Sequence, residues 1–211
     1  MKPLDLGVLV SGRGSNLQAI LDAIAAGALN ARVRLVLSNK PGVAALERAA
    51  RASVPTRVIS HKDFTTREAF DAALAEALSA AGAEWIVLAG FMRVVTQRLL
   101  GAFPSRVINI HPSLLPAFPG VASPKQALDY GVKVSGCTVH LVDDGTDTGP
   151  IIGQRAVAVQ DDDDEATLAA RILVEEHALL VDVLQNIAAG RVRIEAAHDG
   201  RRARVLVSAA R

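Results

Sequence analysis

Apolar strand-like runs alternate with helical patterns through the first half of the chain, and this alternation restricts the fold more than any other feature. The runs lie at 4–10, 32–37, 55–59, 84–89 and 105–110. Candidate helices lie between them at 15–27, 42–52, 64–81 and 93–102. Strands that are apolar on both faces and separated by amphipathic helices are typical of βαβ units, in which helices cover both sides of a parallel sheet. We therefore predict an α/β, Rossmann-like three-layer domain with a mostly parallel sheet.

A proline-rich segment then interrupts this pattern. The sequence HPSLLPAFPG at 111–120 contains three prolines and must be a loop, which allows a cis peptide bond before Pro116. A short helix is predicted at 123–130, followed by two strand-like runs at 133–142 and 150–159. Because a short polar turn joins these runs, they predict an antiparallel addition to the sheet near its C-terminal third.

The last long helix and the tail complete the predicted organisation. A helical pattern over about 165–189 ends before Gly190, a residue type that favours helix C-termini. No linker divides the chain, so we expect a single domain over 1–211 with a core at about 4–190. The tail at 191–211 alternates basic and apolar residues, and it either adds an edge strand or stays mobile.

Composition and charge exclude several classes of partner. The 211 residues carry a net charge of +1, which gives no general attraction to nucleic acid or to an anionic membrane. No apolar run reaches the ~18 residues of a membrane helix, and Asp5 interrupts what would be the apolar region of a signal peptide. Cys137 has no second cysteine to pair with, as is common in a reducing compartment. We expect a cytoplasmic protein, as a monomer or homodimer, without nucleic-acid or membrane partners.

A glycine-rich turn follows the first predicted strand. In SGRGSNLQAI at 11–20, two glycines allow a tight turn into a helix whose free N–H groups suit a phosphate. A dinucleotide fingerprint needs a third glycine where Leu17 stands, and the second strand ends in VLSNK without an acidic residue, so a dehydrogenase is disfavoured. The structural alternative is a plain strand-to-helix turn capped by Ser15 or Asn16.

The strand at 105–110 ends in a pair of side chains suited to catalysis. Asn109 and His111 are two residues apart, so an extended chain points both to the same side. Pro112 keeps His111 extended, and the carboxyl end of a parallel strand is where α/β sheets bind ligands. Together the amide and the imidazole could stabilise an oxyanion on a tetrahedral intermediate. A purely structural histidine is the alternative.

The segment DDGTDTG at 143–149 supplies a possible third member. Gly145 and Gly149 allow tight turns that present Asp147 on a loop. A carboxylate beside His111 would stabilise the imidazolium and favour it as an acid. The alternative is an ordinary hairpin with exposed aspartates.

Two further features are interpreted as structural. The acidic run at 161–164 precedes a helix, where carboxylates cap free N–H groups and interact favourably with the dipole. No histidine or cysteine ligand accompanies this run, so we predict no metal. Cys137 lies in an apolar strand pattern, and no serine nucleophile elbow is present. We therefore predict acyl transfer without a covalent enzyme intermediate.

Four segments together resemble one enzyme family. Their order and spacing are similar to those of the folate-dependent phosphoribosylglycinamide formyltransferases of purine synthesis, and the resemblance covers roughly residues 4–190. The segments are SGRGSNLQAI, LAGFMRVV, NIHPSLLPAFPG and DDGTDTGPII. The resemblance implies that Asn109, His111 and Asp147 are catalytic. It also implies that a formyl group passes from 10-formyltetrahydrofolate, as co-substrate, to the amine of 5-phosphoribosylglycinamide, giving formylglycinamide ribonucleotide and tetrahydrofolate.

The same resemblance implies a set of binding residues. The phosphoribosylglycinamide would be held by Gly14, Ser15 and Asn16 at its phosphate and by Glu176 at its glycinamide. The folate would be held by Arg67, Met92, Arg93, Val94, Val95, Asn109, His140, Asp143, Asp144, Gly145, Thr146 and Asp147. One departure is that many relatives carry a histidine shortly after the PG of the proline-rich loop, where this chain has Ala122 and Ser123.

Three alternatives share part of this pattern. Methionyl-tRNA formyltransferases resemble the domain but add a C-terminal tRNA-binding domain and a basic surface. Formyltetrahydrofolate deformylases share the Asn-His-Asp set but carry an N-terminal regulatory domain, and they need no phosphate cradle. A non-catalytic phosphosugar or folate binder would be expected to lack one of the three catalytic residues, and none is missing.

Overall fold

The computed structural model describes residues 2–198 and 202–209, which form two compact units with a boundary after Asn109. The strands of the first unit are β1 (Leu4–Val10), β2 (Ala31–Ser38), β3 (Thr56–Val58), β4 (Trp85–Leu88) and the first residues of β5 (Val107–His111). Its helices are α1 (Ser15–Ala25), α2 (Ala44–Arg51), α3 (Arg67–Ala80) and α4 (Gln97–Ala102), with a 3₁₀ turn at His61–Asp63. The described strand pairs of this unit are parallel, as the alternation of apolar runs and helices predicted.

Burial in the first unit explains why its strands are apolar on both faces. All seven residues of β1 are buried, and β4 is buried from Ile86 to Leu88. Fully burying one such side chain contributes about 1.5–3 kcal/mol. The carboxyl ends of these strands are therefore fixed by a dense core, which gives the loops that follow them a rigid base.

The helix predicted at 93–102 is shorter than expected. It begins at Gln97, because the Thr96 hydroxyl accepts a hydrogen bond from the Arg98 N–H and makes Thr96 the N-cap. The Thr96 N–H in turn donates to the buried carboxylate of Asp71 on α3. Residues 93–96 thus form a loop rather than the first turn of the helix.

The second unit contains the end of β5 and the rest of the chain. Its elements are α5 (Ser123–Tyr130), β6 (Val134–Leu141), β7 (Ile151–Ala158), α6 (Glu165–Ala188), β8 (Val192–Glu195) and β9 (Arg204–Val207). The hydrogen-bonded strand order of the main sheet is β3-β2-β1-β4-β5-β6-β7, with β6 and β7 antiparallel. The predicted α/β fold with a mostly parallel sheet and an antiparallel addition is confirmed.

Two smaller predictions for this unit can be compared with the structure. The peptide bond between Leu115 and Pro116 is cis. In the described part of the tail, β8 and β9 form a separate two-stranded antiparallel sheet, so the tail does not add an edge strand to the main sheet.

The acidic run at 161–164 has structural partners. The Asp164 side chain accepts from the Thr167 N–H and forms a capping box at the start of α6. Asp163 forms a two-pronged ion pair with Arg171. Within residues 2–198 and 202–209, no cluster of His, Cys, Asp and Glu has the geometry of a metal site, and no helix is long and apolar enough to cross a membrane.

Candidate active site

The glycine turn of the first unit ends in an uncapped helix N-terminus. Gly14 is the N-cap of α1 with φ 74°, and no side chain caps the helix. The structural alternative, a helix capped by Ser15 or Asn16, is excluded, because Gly14 is the N-cap and the chain is already helical at Ser15. Uncapped N–H groups at the positive end of a helix form a ready site for an anion.

Helix α2 holds this turn from the side. A Cβ at Gly14 would lie 2.5 Å from the Ala45 Cβ, so only glycine allows this approach. The Ala45 N–H donates to the Gly12 carbonyl at 3.2 Å, and Arg48 Nε donates to the Arg13 carbonyl at 3.0 Å. The turn is therefore rigid before any ligand binds, and Arg48 places a positive charge beside it.

A buried polar chain links the turn to the segment after β4. Ser11 Oγ accepts from the Met92 N–H at 2.9 Å and donates to Asn39 Oδ1 at 2.6 Å. Asn39 stands in VLSNK, where a dinucleotide site would have an acidic residue. Sequence reasoning missed the role of Ser11 and Asn39, although two polar residues at the ends of buried strands were a usable signal.

The predicted folate-binding residues of the first unit differ in exposure. Met92 and Val94 are 65% and 51% exposed, which is unusual for large apolar side chains next to a buried strand. Val95 is buried and Arg93 is half-buried. Arg67 is exposed in the first turn of α3. The exposed apolar pair is the part of this segment that is free to contact a ring system.

Strand β5 carries Asn109 and His111 at its carboxyl end. The two side chains are two residues apart in an extended strand, so they lie on the same face. Asn109 is half-buried, and His111 is 4% exposed. The strand therefore presents a carboxamide and an imidazole side by side, as the sequence predicted.

Both ring nitrogens of His111 face acceptors. Nε2 lies 2.9 Å from the Phe118 carbonyl oxygen and 3.0 Å from Ser123 Oγ. Nδ1 lies 3.3 Å from Asp147 Oδ2. Because a backbone carbonyl can only accept, Nε2 must carry a proton, and Nδ1 is the nitrogen that can gain or lose one.

The Asp147 carboxylate lies between two imidazoles. Its second oxygen is 3.6 Å from His140 Nε2, while His140 Nδ1 is held by the Leu141 carbonyl at 2.8 Å. The Gly120 N–H donates to Asp147 Oδ2 at 2.8 Å. Burial opposes ionisation of Asp147, but the interactions with His140, Gly120 and His111 outweigh it and hold the pKa of the carboxyl below its ordinary value. Asp147 is therefore an anion at neutral pH.

Backbone strain is concentrated around His111. Phe118, Ala122 and Asp147 have φ values of 53°, 55° and 55°, in the left-handed region that non-glycine residues rarely adopt. Phe118 supplies the carbonyl that anchors Nε2, Ala122 immediately precedes Ser123, and Asp147 faces Nδ1. Each such residue costs on the order of 1–3 kcal/mol and persists only where the surrounding structure enforces it. This pattern is typical of a pre-organised site.

The loop that carries Asp147 is braced internally and from the tail. Asp143 Oδ1 accepts from the Gly145 N–H and from Thr148 Oγ1. Arg202 in the tail donates to the Thr148 carbonyl at 2.7 Å. Asp144, Gly145 and Thr146 form the exposed tip of this loop. Sequence reasoning predicted the loop but not its contact with the tail, because the sequence gives no signal for contacts between distant segments.

Two further residues of the second unit, Glu176 and Cys137, are buried. Glu176 is buried on α6. Burial raises the pKa of the Cys137 thiol to about 12, and the negative charge of Glu176 adds to this effect. Cys137 is thus a buried thiol, as its apolar strand pattern predicted.

The second unit therefore offers groups for proton transfer and for binding a developing negative charge. It brings together His111, Asp147 and His140, and it adds the Phe118 carbonyl and Ser123, which sequence reasoning did not assign. A protonated imidazole held beside a carboxylate can stabilise the negative charge of an oxyanion.

Comparison with known proteins adds independent information. The formyl transferase family matches residues 5–184. The phosphoribosylglycinamide formyltransferase of Mycobacterium tuberculosis is 46% identical over 91% of this chain and 88% of its own length. The trifunctional purine biosynthetic protein adenosine-3 of Drosophila pseudoobscura pseudoobscura is 52% identical, but the chain spans only 14% of its length. The crystal structure of glycinamide ribonucleotide transformylase 1 from Symbiobacterium toebii superposes with a TM-score of 0.93 at 48% identity, covering 98% of this chain and 94% of that one.

Proposed function

Because this chain belongs to the formyl transferase family, we propose that it transfers the formyl group of 10-formyltetrahydrofolate to the amine of 5-phosphoribosylglycinamide. The products are formylglycinamide ribonucleotide and tetrahydrofolate. The observation that carries the proposal is the anchored His111–Asp147 pair beside Asn109, which suits acyl transfer. The match to the Mycobacterium tuberculosis enzyme over most of both chains supports this acceptor and this place in purine biosynthesis.

The phosphate of the acceptor binds at the glycine turn. Gly14 leaves the N–H groups of Ser15 and Asn16 at an uncapped helix N-terminus, which favours a dianionic phosphate. The rigidity of this turn lowers the entropy cost of binding. Glu176 contacts the glycinamide part of the acceptor, a role that rests on family resemblance and is compatible with its buried carboxylate.

The folate co-substrate binds through the exposed apolar pair and the loop at 143–147. Met92 and Val94 supply apolar surface for the pterin ring, and Val95 supports them from the core. The folate site is completed by residues that the family resemblance assigns to it: Arg67, Arg93, His140, Asp143, Asp144, Gly145 and Thr146. We place the reaction in the cytoplasm, where the lone thiol of Cys137 is compatible with a reducing environment.

The chemistry follows from the groups at the end of β5. Attack of the acceptor amine on the formyl carbon places negative charge on the formyl oxygen. The Asn109 carboxamide donates a hydrogen bond to that oxygen, and the positive charge of the protonated His111 ring, which the Asp147 carboxylate stabilises, offsets the negative charge on it. Asp147, through an imidazole or a water, then moves the proton from the attacking amine to the leaving nitrogen.

A release assay tests this proposal. Absorbance measures the tetrahydrofolate formed from 10-formyltetrahydrofolate in the presence and in the absence of 5-phosphoribosylglycinamide. Release that depends on the acceptor supports formyl transfer, whereas equal release without it indicates a deformylase. Asn109→Ala and His111→Ala should each lower kcat by about 10²–10³ while circular dichroism stays unchanged. Near-normal rates in both variants would contradict the assigned roles.

A further inference from the structure

Ser123 occupies a special position relative to His111. It is fully buried at the first position of α5, and its Oγ lies 3.0 Å from His111 Nε2. The same nitrogen lies 2.9 Å from the Phe118 carbonyl oxygen. The Ser123 hydroxyl also lies 3.4 Å from the Gly120 carbonyl, to which it can donate its proton.

These contacts define the direction of each hydrogen bond. The Phe118 carbonyl accepts, so Nε2 carries a hydrogen. When the Ser123 hydroxyl donates to Gly120, its oxygen lone pairs face Nε2–H as a second acceptor. The two acceptors hold one edge of the ring, and the opposite nitrogen, Nδ1, then faces Asp147.

We propose that Ser123 is a positioning residue that fixes the orientation of the His111 ring. In this orientation Nε2 is held by hydrogen bonds, and Nδ1 is the nitrogen that takes part in the reaction. Ser123 does not touch substrate in this assignment. The backbone is compatible with this role, because Ala122, the N-cap residue of α5 immediately before Ser123, has the strained left-handed conformation. The expected effect of Ser123 on catalysis rests on the proposed function. The protonation of Nε2 and the orientation of the His111 ring do not rest on it.

The chain offers a matched control. Ser135 on β6 is also buried, but its Oγ has no hydrogen-bond partner among the described residues. Ser123→Ala and Ser135→Ala remove the same atom from similarly buried positions. Ser123→Thr retains the hydroxyl at position 123 and tests whether the group itself, rather than the residue, is required.

The experiment combines ring nitrogen NMR with steady-state kinetics. In protein labelled with ¹⁵N-histidine, the His111 signals are assigned by their loss in His111→Gln. We expect a protonated Nε2 in the wild type, faster exchange of that proton with water in Ser123→Ala, and wild-type behaviour in Ser135→Ala and Ser123→Thr. Loss of one neutral hydrogen bond should lower kcat roughly fivefold, with KM for both substrates unchanged.

Three outcomes would overturn the proposal. They are a wild-type Nε2 without a proton, an unchanged exchange rate in Ser123→Ala, and an unchanged kcat in that variant. If Ser123→Thr is overpacked, the comparison of the two alanine variants still decides the question. If the wild type shows no acceptor-dependent release of folate, the proposed function fails, while the NMR comparison still tests the anchoring of the ring.

Discussion

Replacing Asp147 by asparagine tests the charge at the centre of the candidate active site. The introduced carboxamide keeps the shape of the Asp147 side chain and still accepts the Gly120 N–H, so the loop retains this anchor. What is lost is the negative charge 3.3 Å from His111 Nδ1. With an effective dielectric constant of about 20, two unit charges at this distance attract by about 5 kcal/mol.

The expected loss of activity follows from this value. Asp147 is only 12% exposed, so water screens the pair weakly. If most of the attraction stabilises the protonated ring in the transition state, Asp147→Asn lowers kcat by about 10³, equivalent to ~4 kcal/mol. The release assay with saturating substrates measures this, and Asp161→Asn, which removes an exposed carboxylate paired with Lys133, is the control.

Stability gives an independent measurement on the same variant. The pKa of Asp147 is lower in the folded protein than its ordinary value of 3.8. Its ionised form therefore stabilises the fold above the ordinary carboxyl pKa, and this contribution is lost as the pH falls through the lowered pKa. The unfolding free energies of wild type and Asp147→Asn should converge in acid. A kcat of Asp147→Asn within about tenfold of the wild-type value would refute the proposed role of the charge in catalysis. A difference in unfolding free energy that stays constant at all pH values would refute its contribution to stability.

Three other predictions concern the glycine turn, the buried thiol and the tail. Gly14→Ala should raise KM for the phosphorylated acceptor about fivefold to 150-fold, a cost of ~1–3 kcal/mol, because the new Cβ lies 2.5 Å from Ala45 and φ is positive. Cys137 should resist alkylation at pH 8 in the native state and react fully in denaturant, because burial raises its thiol pKa to about 12. Arg202→Ala should raise KM for folate about threefold to tenfold, since loss of one charge-assisted hydrogen bond to Thr148 frees the loop.

Each of these predictions has its own control. Gly12→Ala adds a Cβ that meets no atom within 4 Å and does not require a positive φ, so it should bind the acceptor better than Gly14→Ala. Native alkylation of Cys137 as fast as that of a free thiol would contradict its burial. Arg204→Ala removes a tail arginine whose partner is Glu195, and an equal effect of both arginine variants on KM would exclude a specific role for Arg202.

Local sequence patterns were sufficient to predict the fold class and the placement of Asn109 and His111 on one strand. A strand that is buried on both faces of a sheet needs an almost continuous run of apolar residues, and a helix that covers the sheet needs apolar residues on one face only. Because both patterns are local, the alternation of strands and helices could be predicted from the sequence. The expected family, the parallel sheet and the antiparallel addition are confirmed. Asn109 and His111 could be paired because strand periodicity is a local property. The roles assigned to these residues stay predictions.

The contacts that hold His111 could not be predicted from local patterns. The anchoring of His111 Nε2 by Phe118 and Ser123 depends on a loop whose path combines left-handed residues that no sequence period specifies. The contact of Arg202 with Thr148 spans 54 positions, so it arises from packing alone. Local patterns encode which face of an element is buried, whereas the direction of a hydrogen bond between distant segments is fixed only when the whole chain has packed.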